Sequence, residues 1–333
     1  MELPGLLKNK IYPVVGYIVF VFLISCNNNN KTEVTEHTAV SVAESKKVLT
    51  PAFNADSAYS YVKAQVDFGP RVPGTQAHTK CADYLVAKLK SYGLEVTIQK
   101  ATIQTFDKKQ FVLKNIIASF KPDLQKRIMI CSHWDVRPWA DEDTKNRDKP
   151  FDSANDSASG VGVALEIARQ INLLNPTIGI DIICFDLEDY GQAGGESTTW
   201  CLGSQYWSKN LHKAGYYADF GILLDMVGAP NALFPKEQNS LDFAKVAVDK
   251  VWKAAENSGY GNYFINQSEN FVGVDDHIYV NDAGIPCIDI IEFNPTSRGF
   301  GSYHHTHEDN MSIIDKNTLK AVGQTLLEVI YSE

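Results

Sequence analysis

Two adjacent carboxylates, Glu188 and Asp189, end an apolar run that extends from Ile178 to Gly191 (IGIDIICFDLEDYG). The run is short, rich in Ile and Phe, and bounded by Gly179 and Gly191, which is the pattern of a buried strand in an α/β sheet. Ligands of such sheets sit at the carboxyl ends of the strands. Successive side chains leave a strand end in different directions, so the pair can divide two tasks, one binding a metal and the other moving protons. Taken alone, a Glu-Asp pair is a solvated strand end. Other apolar runs, however, also end in ligand-type residues. Arg127-Ile-Met-Ile-Cys-Ser leads into His133 and Asp135, spaced HxD; Asn155-Asp156-Ser157 precedes a helix; Gly221-Ile-Leu-Leu ends at Asp225; and the loop after the last strand carries His304, His305 and His307. Singly, Asp156 reads as an N-cap, Asp225 as a turn former and the histidines as a solvated loop. Together they offer the borderline-soft N and O donors that zinc takes, collected from rigid elements at one rim.

The elements that must position these residues follow from periodicity. Asn54 caps a helix carrying Ala58, Tyr61, Val62 and Val66. A segment with two prolines and two glycines (FGPRVPGT) ends it, and a second helix carries Cys81, Leu85, Leu89 and Tyr92, with Gly93 as its stop. Strands are predicted over Leu94–Gln99, Phe111–Phe120 and Arg127–Ser132. Helices over Ser157–Leu173, Ser204–Ala214, Ser240–Ser258 and Lys316–Ser332 then alternate with strands over Ile178–Phe185, Gly221–Asp225 and Ile285–Glu292. Alternation of this kind predicts an α/β fold, one domain with a central mixed, mostly parallel sheet covered by helices on both faces.

The chain has 333 residues, 44% hydrophobic and 21% charged, with a net charge of −9. These are globular values, and the acidic balance without a basic stripe argues against a nucleic-acid partner. Lys8 and Lys10 precede an apolar run from Ile11 to Ile24 that is too short and Pro-interrupted to span a membrane well, the order of an export signal. Leu23-Ile24-Ser25-Cys26 resembles a bacterial lipobox. That resemblance implies a signal peptide over 1–25, a lipidated Cys26 and an exported, lipid-anchored protein at an envelope membrane; an uncleaved anchor is the alternative. Residues 26–50 are polar and lack aromatics, and read as a tether. The folded domain is expected over 51–333, as a monomer. Apart from Cys26, five cysteines remain without metal-type spacing; buried free thiols are expected of Cys131, Cys184 and Cys287, which lie in apolar runs, with one disulfide as the alternative.

GPRVPGT, SHWD, NDSASGVGVALEIAR, FDLEDYG, LLDMVGAP and HHTHEDN occur in an order that resembles the zinc-aminopeptidase-like superfamily. Within it, LDMVGAPNALFP, VDDH and His305-Thr followed by acidic residues and Asn310 are similar to the glutaminyl-peptide cyclotransferases. The resemblance implies one zinc ion held by Asp156, Asp189 and His305, Glu188 as general acid/base, and a hydrogen-bonded pair of Asp225 and Asp275 beside it. It implies peptides or proteins with N-terminal glutamine as substrates, converted to pyroglutamate with release of ammonia. The animal cyclases carry Glu where this chain has Asp189 and Trp where it has His304. Trp200, after the Gly-rich loop GQAGGESTT, is then the first choice for the apolar pocket wall, with Trp207 and Trp134 as further choices. His133 and Asp135 stand as ligands of a second metal or as support behind the first. A two-zinc aminopeptidase of the same fold is the main alternative, and a lipid-anchored binding protein that has lost the reaction is the other.

Overall fold

The computed structural model describes residues 49–269 and 272–333, so the expected signal peptide, Cys26 and nearly all of the tether lie outside it. Four strands, β3 (Arg127–His133), β4 (Gly179–Phe185), β5 (Phe220–Asp225) and β8 (Cys287–Ile291), run parallel, and two more, β1 (Glu95–Gln104) and β2 (Gln110–Phe120), add an antiparallel hairpin at one side. The order across the sheet is β1-β2-β4-β3-β5-β8. Every residue of β3, β4, β5 and β8 is buried. Ile128, Ile130, Ile180, Ile182, Ile222 and Leu224 face one core, and Met129, Cys131, Ile183 and Leu223 face the other. With both faces covered there is no polar face to create alternation, which is why these strands read as continuous apolar runs.

The larger core is covered by α1 (Ala55–Val66), α2 (Gln76–Ser91), α3 (Ala158–Leu173), α5 (Gln238–Asn257) and α7 (Lys316–Ser332); the smaller lies under α4 (Leu202–Lys209) and α6 (Asp276–Asp282). Three features differ from expectation. The helix predicted over Ser204–Ala214 ends at Lys209, because Trp207 donates its indole N–H to His212 Nδ1 (3.1 Å), which folds the chain back over the smaller core. A parallel pair, β6 (Phe234–Glu237) and β7 (Phe264–Glu269), was not foreseen: β6 is only four residues long and contains Pro235. Nor was α6, a seven-residue helix whose N-cap is Asp275 itself. The five cysteines of the described residues are buried and free.

Candidate active site

The carboxyl ends of the parallel strands meet the loops before α3, after β4 and after β8. Asp135, fully buried just beyond β3, accepts the backbone N–H groups of Glu188 (3.1 Å) and Asp189 (3.3 Å). This pins the turn after β4, in which Leu187 takes φ 58°, a left-handed conformation costly for any residue with a Cβ. The turn sends the two acids in different directions. Glu188 accepts from the Cys201 thiol (3.3 Å), and Asp189 Oδ1 lies 3.3 Å from His305 Nε2.

Asp156 arrives from the turn before α3. Its N–H and that of Asn155 donate to the buried Asp309 carboxylate (3.0 and 2.7 Å), while Asn155 Oδ1 accepts from Gly228 (2.6 Å). Gly160 lets the first turn of α3 press against β5, since a Cβ there would lie 2.4 Å from the Leu224 carbonyl oxygen. His305, at φ 49°, completes the group, with Nε2 3.6 Å from Asp156 Oδ2.

Asp156, Asp189 and His305, far apart in the chain, thus bring one donor atom each within 4.8 Å of one another. A tetrahedral zinc with bonds of about 2.0–2.1 Å has edges of about 3.3–3.4 Å, so the separations of 3.3 and 3.6 Å match its corners. Asp189 Oδ1 is also buried with no hydrogen-bond partner, the state of an oxygen kept for a cation. The donor set fits the metal. Around it, Arg137 donates its backbone N–H to Asp189 Oδ2 (3.1 Å) and grips Asp141 through two nitrogens (2.7 and 2.5 Å), and Asp141 lies 3.6 Å from His305 Nδ1. A carboxylate behind a ligating imidazole fixes its orientation and raises its basicity.

Burial pushes Glu188 well above the usual carboxylate range, reinforced by the charges of Asp189, Asp275 and Asp276 and opposed by His133. Burial, then repulsion from Asp225, pushes Asp275 up to about 7. For Asp156 burial acts upward, but the His133 hydrogen bond and charge prevail and hold it low. Of the expected pair, Asp225 Oδ1 lies 3.4 Å from His133 Nε2, Asp275 accepts from its neighbour Asp276 N–H (2.5 Å), and the two acids act on each other through charge.

Beside the three donors opens a cavity of about 200 Å³, lined also by Glu188, Asp225, Trp200, Val274, Ile291 and Phe300. Trp200 lies flat on Gly191, where a Cβ would come within 1.9 Å of the indole, and the Arg137 guanidinium sits 4.6 Å from its ring centroid. His304 also lines the cavity, stacked on His305 at 3.8 Å and 3.1 Å from Glu142. Trp134 and Trp207 do not belong to the wall. Trp134 is sealed in the larger core against His78, and Trp207 in the smaller core against Phe185, because each follows an alternation or helix face that points inward. His133 is likewise buried, Nε2 2.9 Å from Asp156 Oδ1. Arg137, Asp141, Cys201 and Asp309 were not anticipated; Arg137 is buried, as ionised residues rarely are unless paired, but the sequence shows only its type.

Residues 115–330 match the model of peptidase family M28. The structure of Bacteroides thetaiotaomicron glutaminyl cyclase bound to N-acetylhistamine is 53% identical, with a TM-score of 0.83 over 86% of this chain and 100% of that one. A Zn-dependent exopeptidase from Parabacteroides distasonis is 51% identical at the same TM-score and coverage. Aminopeptidase YwaD of Bacillus subtilis is 26% identical over 283 residues, covering 82% of this chain, which spans 55% of the length of that protein. With a family model spanning most of its folded part and the sheet, turns and donor set described above, the chain belongs to peptidase family M28.

Proposed function

We propose that this chain is a zinc-dependent glutaminyl-peptide cyclotransferase, converting N-terminal glutamine to pyroglutamate and releasing ammonia. The observation that carries the reading is that Glu188, held protonatable by burial, faces the same small cavity as the three donors. At about 200 Å³ the cavity is below the ~300–1,000 Å³ of drug-sized sites, and it suits one terminal side chain. Asp156, Asp189 and His305 would hold zinc, which as a Lewis acid polarises the γ-carbonyl of the substrate. Trp200, Val274, Ile291 and Phe300 enclose the side chain and exclude water, favouring attack by the substrate's own α-amine. Glu188 takes a proton from that amine as its nitrogen bonds to the γ-carbon, and returns one to the amide nitrogen as the old C–N bond breaks and ammonia leaves. Asp275, within 4.8 Å of Glu188 through one oxygen, resists lasting ionisation of Glu188 and so keeps it ready to give the proton back.

The aminopeptidase reading rests on a specific observation too, the His133, Asp156 and Asp225 donors within 4.8 Å of one another. Against a second ion there, His133 Nε2 and Asp156 Oδ1 are already bonded at 2.9 Å, shorter than a metal polyhedron's edge of about 3.3 Å. A glutamine-led peptide separates the two: ammonia with the chain length intact supports the cyclase, and a liberated amino acid overturns it. The leader supports a further proposal, export and lipid attachment through Cys26. Mass spectrometry of the membrane fraction is expected to find a lipid-modified N-terminal Cys26, and a soluble product with an intact leader would refute it.

A further inference from the structure

Behind Asp275, on the side away from the cavity, lies a sealed group of ionisable side chains that the proposed reaction does not use. Glu237 comes from the end of β6, Asp276 and His277 from α6, and Asp289 from β8; all four are fully buried. His277 Nε2 is 3.3 Å from Glu237 Oε2, and its Nδ1 is 3.7 Å from Asp289 Oδ2. Asp275, His277 and Asp289 bring one atom each within 4.8 Å of one another. Asp276 turns the other way, accepting from Ser204 Oγ (2.5 Å) on α4. Among the described residues no Lys or Arg pairs with any of these acids, and the ion-pair partner near Glu237 and Asp289 is His277.

The hydrogen bonds divide the acids into two kinds. Glu237 accepts from the N–H of Asn239 (2.8 Å) and Ser240 (2.6 Å) and from Ser240 Oγ (2.9 Å), capping α5, an arrangement that favours an ionised carboxylate. Neither oxygen of Asp289 has a donor. A buried carboxylate with no donor is costly while charged, and a protonated one can itself donate. Among the described residues, the acceptor carboxylate grouped with it is that of Asp275.

We propose that Asp289 is a neutral carboxylic acid that donates to Asp275 and acts as a positioning residue, fixing the Asp275 carboxylate against Glu188, with Glu237 and His277 packed behind it. In support, burial and then repulsion from Asp275, Asp225 and Glu237 push Asp289 well above the ordinary carboxylate range, while Glu237 is held below it by His277 and its backbone donors despite burial. This inference rests on the cyclase reading for its kinetic consequence but not for its protonation state.

The test uses the full folded domain with zinc. Asp289→Asn, an isosteric neutral donor, is expected to keep kcat for ammonia release within about threefold of wild type, and Asp289→Ala to lower it at least about thirtyfold with KM within twofold and zinc content unchanged. Infrared difference spectra at neutral pH are expected to show a protonated carboxylic-acid C=O band in wild type that Asp289→Asn lacks. The proposal is overturned if Asp289→Asn loses as much activity as Asp289→Ala, if it does not fold, if both variants retain full kcat, if the infrared band is common to both spectra, or if a second equivalent of metal disappears with Asp289. A wild-type protein that releases no ammonia refutes the cyclase reading instead, and the infrared comparison still decides the protonation of Asp289.

Discussion

Asp135→Asn perturbs the support of the catalytic turn without touching the cavity. In the wild type each carboxylate oxygen accepts one backbone N–H, from Glu188 at 3.1 Å and Asp189 at 3.3 Å, in a fully buried setting. Asparagine keeps one acceptor and turns an NH2 toward the other N–H, so one bond is lost, the other loses its charge, and two donors face each other. A hydrogen bond to a charged group contributes about 1.5–3 kcal/mol, and a stranded buried donor costs about 1–3 kcal/mol. The combined loss is about 2.5–6 kcal/mol, a large share of the ~5–15 kcal/mol of a typical domain. Urea unfolding of the zinc-free protein isolates this loss, because bound metal adds its own stabilisation. Chelator competition should then show zinc affinity reduced about 10–100-fold, the usual effect of disturbing a ligand's support. Stability within about 0.5 kcal/mol of wild type, with zinc affinity within threefold, would refute the idea that Asp135 holds Glu188 and Asp189 in place.

Glu188→Gln is expected to retain zinc and lose about 10²–10⁴-fold in ammonia release, the range of general acid–base catalysis; a near-normal rate removes Glu188 from proton transfer. Gly191→Ala would drive a Cβ to 1.9 Å from the Trp200 indole, so the wall must shift and KM rises roughly tenfold, about 1.4 kcal/mol, with kcat little changed; an unaltered KM shows that Trp200 does not contact substrate. Titrating metal-free protein should give one zinc per chain if His133 and Asp156 keep their 2.9 Å hydrogen bond; two tight equivalents contradict this. Burial, partly offset by the Tyr303 hydrogen bond, raises Glu292 from 4.5 to about 7. Its folded form therefore binds the extra proton between those values, so its contribution is complete below about pH 4.5 and lost as pH rises through about 7, on the order of 3 kcal/mol. In Glu292→Gln the fall in unfolding free energy between pH 4.5 and pH 8 should shrink accordingly, and an unchanged difference would show that Glu292 titrates normally.

How far the sequence discloses this protein depends on which atoms carry the information. The rim was readable because one signal encodes both fold and site: continuous apolar runs mark strands buried on both faces, and the residue that breaks each run, His133, Glu188 or Asp225, stands where such sheets bind ligands. Side-chain types therefore announced the chemistry. The supports were not readable, because they act on backbone. Nothing in the letters tells that Asp135 accepts the N–H groups of Glu188 and Asp189, or that Asp309 does the same for Asn155 and Asp156, since the acceptors are main-chain partners set by loop geometry. The tryptophans show the same division. All three share a residue type and local polarity, yet Trp134 and Trp207 are sealed while Trp200 reaches the cavity, and the deciding residue is Gly191, whose missing Cβ makes room for a ring nine positions later. Left-handed backbone at Leu187, Met226 and His305, none of them glycine, occurs at the same rim. Conformations of this cost persist only where surrounding contacts over-determine them. The supports that the letters conceal are thus what hold in place the donors that the letters reveal.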